Sequence, residues 1–508
     1  MGCRRYARVP PQWLTDRESG GAVSHAQINT PAERDGAACR PWPRPLLAVL
    51  CASFLLSLWV ALRFPLLDPD EGRNAEVARE MAASGDLVIP HLAGVPYLDK
   101  PPALFAAAAA AVRIFGPRPF APRLPAMIAS LAALLLLARM ARSCADDSQA
   151  LRATLLAASA PLFAGLSAYV IFDMPLAFCV TVLWTGLARE LTTGVSNSRR
   201  AWMYAALALG VLLKGPIMLG WALGGSLATA IVMRRRSALG WLTWWPGWLL
   251  VIGLGGGWFA LALRRHPEFA HYAFVEESLE RLTTSSFHRE QPWWFVPVVL
   301  VAGTLPWSVV TPWRWPVSVP GKVAAGFVLF ACVFFSLSHS KLVTYLLPVV
   351  PALAYIAAEA WGRRAASLPR PLLIALLFTP LLLVAGSPWL YGYVRSHSGA
   401  ALAAAIRSSG GGNVRYEDCY SPGTDFLLDR GSAVVSETGA PLTSNYILRY
   451  RDLLRQRGQW RLYPTAAAAP PAAVIVRATK NPTAPPPDGQ VIFQDARYTA
   501  WRLASAGN

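Results

Sequence analysis

Long apolar stretches recur from residue 46 to residue 390 of this 508-residue chain, and nothing else in the sequence limits its fold as strongly. Segments of about 20 apolar residues match the hydrocarbon thickness of a bilayer. The chain is 54% hydrophobic and only 15% charged, whereas soluble domains carry about 25% charged residues. The sequence therefore predicts a polytopic α-helical membrane protein. The formal charge of +18 is not read as a nucleic-acid footprint. The Lys and Arg residues are dispersed at the ends of apolar stretches, where they set orientation.

That rule orders the chain. Arg40 and Arg44 precede the first span, residues 46–64, and place the N-terminus in the cytoplasm. Arg139 and Arg142, Arg199 and Arg200, Arg234 to Arg236, and Arg363 and Arg364 then mark further cytoplasmic ends. The bookkeeping gives ~11 spans, up to ~13 if short or split spans are missed. The last one, residues 372–391, exits on the outer side. Residues 1–44 read as a disordered cytoplasmic tail, because no apolar signal segment follows within them. Residues 45–395 read as the transmembrane domain. Residues 396–508 change character, with polar turns and short strand-like runs at 433–435, 473–476 and 491–493. They predict a small α/β domain on the outer side.

The seven cysteines (Cys3, Cys39, Cys51, Cys144, Cys179, Cys332 and Cys419) form no CxxC pair, so neither a disulfide framework nor a thiolate metal site is suggested. The Trp clusters at 241–248 and 293–294 read as interfacial anchors rather than sugar-stacking platforms. The glycine run 253–257 lies inside an apolar span, which favours close helix packing over a nucleotide loop.

One connection is unlike the rest. Residues 65–122 form a first outer loop, and within it residues 67–102 bring Asp70, Glu71, Arg73, Glu76, Arg79, Glu80, Asp86, Asp99 and Lys100 beside the membrane. A loop this long and charged is a working part rather than a connector. Asp70 can cap a helix from Glu71 to Ser84 that Gly85 ends. Val77, Ala78 and Met81 give that helix a narrow apolar stripe, as in a helix lying on a bilayer. Residues 103–115 are apolar but too short to cross, so they read as a second interfacial or re-entrant helix. Asp173, Lys214, residues 266–291 and residues 338–345 fall on the same outer side. Charges at span ends, rather than at mid-bilayer, favour a site at the water–lipid interface over a transport pathway.

Several segments, in order, resemble one family. The stretch DEGRNAEVAREMAASGDLVIPHLAGVPYLDKPP is similar to the first periplasmic loop of the aminoarabinose transferase and protein mannosyltransferase superfamily. FDMPLAF, LLKGPIML, FVEESLERL and SHSKLVTYLLPVVPALA resemble its later motifs. The resemblance covers roughly residues 46–391, and the first loop and the SKLVTYLLP segment are its specific parts. It implies a GT-C fold with periplasmic juxtamembrane helices. It also implies a glycosyltransferase of the bacterial inner membrane that takes a sugar from a polyprenyl-phosphate donor such as undecaprenyl phosphate. The acceptor, whether lipid A, another glycan, a lipid or a protein hydroxyl, is not legible. The lipid donor also explains the lack of a nucleotide-binding loop.

The resemblance implies roles for single residues. Asp70 is the base that takes the acceptor proton in an inverting transfer, a role compatible with capping. Lys100, Arg281 and Arg73 hold the donor phosphate; the alternative for Lys100 is snorkelling, which does not require the two prolines that fix its backbone. Asp173 belongs to the active site, or only caps its helix. Lys341 and Tyr345 contact phosphate or lipid, or anchor the interface. Glu71 and Glu277 support the loop, and Lys214 needs solvent or a partner. Some members bind a divalent metal through an acid before the loop Lys and a His in the Glu…Arg motif. Here those positions hold Asp99 and Ser278, so no cofactor is certain and a divalent metal stays open; His266, His271 and His288 are the candidate substitutes. Asn74 replaces the family's usual aromatic residue. A lipid-linked-sugar flippase and a non-catalytic scaffold are the competing functions. The first needs internal repeats and mid-membrane charges, which the sequence lacks, and the second needs loop acids that tolerate substitution.

Overall fold

A backbone inside hydrocarbon must satisfy its own hydrogen bonds, which a helix does, and the computed structural model is helical throughout the apolar region. It describes residues 41–280, 291–364, 370–480 and 484–504, with side chains throughout except at 277–280, 370–372, 374 and 375. Arg281 and His288, the side chains of Glu277 and Ser278, and the tail of residues 1–40 lie outside the description.

Among the described residues, six helices are long and apolar enough to cross a membrane: Arg44–Arg63 (α1), Ala121–Cys144, Asp173–Thr193, Trp245–Arg265, Val319–Leu337 and Val343–Gly362. Leu376–Ala385 and Ser387–Ser396, bent by 58° at their junction, make a seventh if taken as one span. The other apolar stretches are shorter, broken or more polar helices: Asp147–Ser159 followed by Pro161–Leu166, Asn197–Lys214, Ile217–Met233, and Phe295–Gly303 followed by Trp307–Val310. Breaks fall at Pro161 and before Trp307, where proline removes a helix hydrogen bond. Ile217–Met233 and Val319–Leu337 pack closely because Gly326 has no side chain; a Cβ there would lie 2.7 Å from the Thr229 backbone. The glycine run differs from expectation. It forms a wide helical turn at Ile252–Gly256, and only Gly255 in it meets a neighbouring helix closely, Val211 at 3.0 Å.

The helix ends separate into two faces. Arg142 covers Trp42, Arg200 pairs with Glu190, and Arg363 bonds the Trp315 carbonyl at one face. The other face carries the polar loop. There, Asp70–Ser84 (α2) is followed by a tiny hairpin of His91–Leu92 (β1) and Val95–Pro96 (β2), then by Ala103–Phe115 (α3), which packs along α2. Gly85 ends α2 in the left-handed conformation (φ 73°), with its amide on the Met81 carbonyl, as read from the sequence. Asp70 departs from its expected capping position: it is the first helical residue, Pro69 is the cap, and no side chain caps this end.

Beyond Ala400–Ser408 the chain builds a five-stranded mixed sheet in the order β4-β3-β5-β7-β6. Its strands are Val414–Glu417 (β3), Ala433–Val435 (β4), Val474–Ala478 (β5), Gly489–Gln494 (β6) and Tyr498–Leu503 (β7). β3 runs parallel to both β4 and β5, so helical crossovers are required. Pro422–Leu428 (α4) and Asn445–Gln456 (α5) supply them. α4 packs on α2. With α3 also packed along it, α2 buries both its apolar stripe of Val77, Ala78 and Met81 and its charged Glu76 and Arg79. A helix read as lying on a bilayer is instead sandwiched. Arg79 makes two bonds to Glu76, at 2.8 and 2.6 Å, which lets both charges be buried. Burial pushes the Glu76 carboxyl well above the usual range, against the pull of Arg79. Burial likewise pushes Asp425 of α4 up to about 7, although Ser432 and Arg79 oppose it.

Candidate active site at the helix ends

The loop is pinned by one buried ion pair. Glu71 and Arg123 side chains are 1% and 3% exposed, joined by bonds of 2.8 and 2.6 Å. Glu71 also accepts the Leu67 and Val170 amides, at 3.0 and 3.1 Å. Arg123 donates to the carbonyls of Ala61, Phe64 and Pro65. The end of α1, the start of α2 and the turn before Asp173 are thereby tied to one point. Every donor and acceptor is used, the condition under which a buried pair can hold. Arg123 was not singled out in the sequence; the available signal was an Arg between prolines at the head of an apolar span.

Asp70 follows directly from this anchor. Its side chain is 58% exposed and receives a 2.7 Å bond from Arg73. The other Arg73 nitrogen bonds the carbonyl and hydroxyl of Thr443, at 3.0 and 2.9 Å. The C-terminal region therefore fixes the arginine that fixes Asp70. Asn74, where the family's aromatic would stand, bonds the Val170 carbonyl at 2.8 Å.

Beside this arrangement lies a cavity of about 310 Å³. Its polar lining includes Asp99, Lys100, Asp173, Lys214 and Tyr345, and its apolar walls include Trp221 and Phe259. Asp70 and Arg73 are not among its lining residues. Asp173 is the first residue of its helix, which Phe172 caps without a side-chain bond. Its carboxylate instead receives a 2.5 Å bond from Lys214, whose ammonium sits 4.5 Å from the Tyr345 ring centroid. Lys214 thus has the partner that its position demanded. Lys100 donates to the Asp99 carbonyl at 2.6 Å. Pro101 and Pro102 follow it at the start of α3 and restrict its backbone. Lys341 is buried, bonded to the Gln291 carbonyl at 2.6 Å, and lines an adjoining pocket that shares Ser338 with the first.

Asp99 Oδ1 receives the Tyr272 hydroxyl at 2.5 Å and the Tyr446 amide of α5 at 3.0 Å. Among the described residues no three His, Cys, Asp or Glu side chains converge. His266 is bonded to Glu268, and His271 to Glu276. Glu276, next to Glu277, also bonds Tyr450 of α5 at 3.1 Å. With Asp99 taken by two donors and these histidines committed elsewhere, the described residues do not fit a divalent metal. Tyr272, Tyr446 and Tyr450 are contacts that sequence reasoning missed, because two of the three lie in a helix far away in sequence.

Comparison with known proteins supports the resemblance in the motifs. The family described as Dolichyl-phosphate-mannose-protein mannosyltransferase matches residues 99–254. A Sodalis glossinidius undecaprenyl phosphate-alpha-4-amino-4-deoxy-L-arabinose arabinosyl transferase is 33% identical over 63% of this chain and 59% of its own length. A Pseudomonas fluorescens protein of the same name is 29% identical over 69% of this chain and 60% of its own length. The chain thus spans about three fifths of the curated relatives it matches. The crystal structure of ArnT from Cupriavidus metallidurans bound to undecaprenyl phosphate aligns with TM-score 0.74 at 21% identity, covering 91% of this chain and 98% of that one. The apo form aligns at 0.71. The fold is the GT-C type expected: a multi-pass helical membrane protein with a small C-terminal α/β region.

Proposed function

We propose that this chain is a glycosyltransferase that moves a sugar from a polyprenyl-phosphate donor, such as undecaprenyl phosphate, to an acceptor hydroxyl. The observation that carries the proposal is the gathering of Asp99, Lys100, Asp173, Lys214 and Tyr345 around one apolar-walled cavity. That cavity lies beside the loop that presents Asp70. A prenyl tail suits the apolar wall, and a phosphate suits the ammonium groups at its polar end. The relatives' names, and the undecaprenyl phosphate in the Cupriavidus structure, point to the same donor.

The acceptor hydroxyl attacks the anomeric carbon and gives its proton to the Asp70 carboxylate. The bond from that carbon to the phosphate oxygen breaks, with inversion. The charge that appears on the leaving phosphate is met by Lys100, with Arg281 as the second candidate cation. Arg73, held by Thr443, orients Asp70. Asp173 holds Lys214 beside Tyr345 at the cavity wall. Lys341 and Tyr345 are placed to touch lipid or phosphate, and Glu71 and Glu277 to support the loop. The arginine-rich face is assigned to the cytoplasm, and the loop and C-terminal domain to the periplasm of a bacterial inner membrane. The ion pair at the cavity sits at helix ends, not at mid-span as a flippase would place it.

The test is mass spectrometry of lipid A, envelope glycans and envelope proteins from a deletion strain complemented with wild type or Asp70→Asn. The expected result is a sugar that disappears on deletion and returns only with wild type. A sugar restored equally by Asp70→Asn removes Asp70 as base, and no change in any fraction from expressed protein removes the transferase reading.

A further inference from the structure

The start of α5 reaches both ends of the site. Thr443, just before the helix, holds Arg73 and through it Asp70. Further along the same turn, the Tyr446 amide bonds Asp99 Oδ1 at 3.0 Å. The same oxygen receives the Tyr272 hydroxyl at 2.5 Å. Asp99 in turn accepts the Lys100 ammonium on its backbone carbonyl, at 2.6 Å. Burial opposes it, yet Tyr97, Asp70 and Asp99 raise the Arg73 guanidinium, so both acids lie within reach of its charge.

Tyr272 is buried and lines the active-site cavity together with Asp99 and Lys100. Its ring stands edge-on to Tyr446 and Tyr450, with centroids 5.3 and 6.1 Å away. Such packing fixes where the hydroxyl points. Tyr272 also begins a wide helical turn, Tyr272–Glu280, and turns of that kind recur at functional sites. Buried polar groups whose partners are met are held rigid. Two donors on one carboxylate oxygen therefore fix Asp99, and with it the carbonyl on which Lys100 rests. A cation that meets a developing charge works best when it is already in place.

We propose that Tyr272 is a positioning residue: with the Tyr446 amide it braces Asp99, so that Lys100 is set for the donor phosphate in a fixed place relative to Asp70. The brace stands on the geometry, whereas its service to a phosphate rests on the transferase reading.

The test is calorimetric titration of the full chain in nanodiscs with farnesyl phosphate, and with farnesol as the phosphate-free control. Wild type is expected to bind the phosphate more tightly than the alcohol. Tyr272→Phe should weaken farnesyl phosphate about 3- to 10-fold, the size of one net hydrogen bond, and leave farnesol unchanged. Adding Tyr272→Phe to Asp99→Ala should change nothing further, because the hydroxyl acts only through Asp99. Asp99→Asn still accepts both donors and should bind farnesyl phosphate more tightly than Asp99→Ala; the two lose the same charge, so their difference reads the brace whether or not Tyr272→Phe folds. Tyr450→Phe is the same change in the same ring cluster, on a hydroxyl bonded to Glu276, and should match wild type. A Tyr272→Phe protein that binds both ligands like wild type, loses both alike, or adds its full effect to Asp99→Ala overturns the proposal. So does an equal loss in Tyr450→Phe, or Asp99→Asn no tighter than Asp99→Ala. A wild type that binds farnesol as tightly as farnesyl phosphate removes the donor site, and the transferase reading and the proposal fall together. A phosphate preference that is kept but indifferent to Tyr272→Phe removes the brace alone.

Discussion

Replacing Glu71 by Gln leaves Arg123 charged, 3% exposed and facing a neutral amide. Two opposite charges about 4 Å apart at an effective dielectric near 20 interact by about 4 kcal/mol. Breaking a buried pair from one side costs about 3–5 kcal/mol by mutational experience. Glu71→Gln should therefore destabilise the loop by about 3–5 kcal/mol. Arg123→Met should cost at least as much, because it also strips the carbonyls of Ala61, Phe64 and Pro65 of their donor. The double variant should cost less than the two together, with a coupling on the order of 3 kcal/mol. Hydrogen exchange read by mass spectrometry on peptides spanning residues 65–72 and 168–172 is the local assay, since the Leu67 and Val170 amides bond Glu71. Unfolding in mixed micelles, followed by Trp fluorescence, gives the global value. Single variants that each cost under about 1 kcal/mol, or that add within about 0.5 kcal/mol, would refute the view that this pair anchors the loop.

Asp70→Asn should lower transfer about 10²- to 10⁴-fold. Because Asp70 is largely exposed, thermal stability should barely move, and a large loss of stability would mean a structural role. Lys214→Met should destabilise by about 3–5 kcal/mol by leaving Asp173 buried without a partner, while Asp173→Asn/Lys214→Met should recover part of that; micelle unfolding reads both. Burial raises the Asp68 carboxyl from 3.8 to about 7, against the pull of Arg497. A raised folded pKa means that the unfolded chain deprotonates first, so stability is full below about pH 4 and falls until about pH 7. Asp68→Asn should thus stabilise at pH 8, by up to about 4 kcal/mol, and change little at pH 4; equal effects at both would refute the assignment. For topology, a membrane-impermeant maleimide on intact spheroplasts should label Thr438→Cys above the wild-type background but not Arg235→Cys, and the reverse would invert the orientation.

Local chemistry set much of this protein. Apolar length fixed the helices, because an unpaired backbone is not tolerated in hydrocarbon. Gly85 ended α2 because it alone adopts φ 73° without strain. The short apolar runs of β4, β5 and β6 showed in the sequence, as did the polarity of the loop and the order of its motifs. What the sequence could not decide is which distant groups satisfy one another. Asp70 read as a cap, but its carboxylate takes the neighbouring Arg73 three residues on, and tertiary structure decided the other end of that arginine, which Thr443, some 370 positions away, holds. Asp173 read equally as a cap, until the fold brought Lys214 within 2.5 Å. The outer face of α2 read as solvent-facing, because Glu76 and Arg79 neutralise each other only at bonding distance and only then can be buried under α4. Periodicity and hydropathy are sums over neighbours along the chain. Charge pairing depends on distance in space, and so the helices were legible in the sequence while the partners of Asp99 and Asp173, and the second partner of Arg73, were decided by tertiary structure.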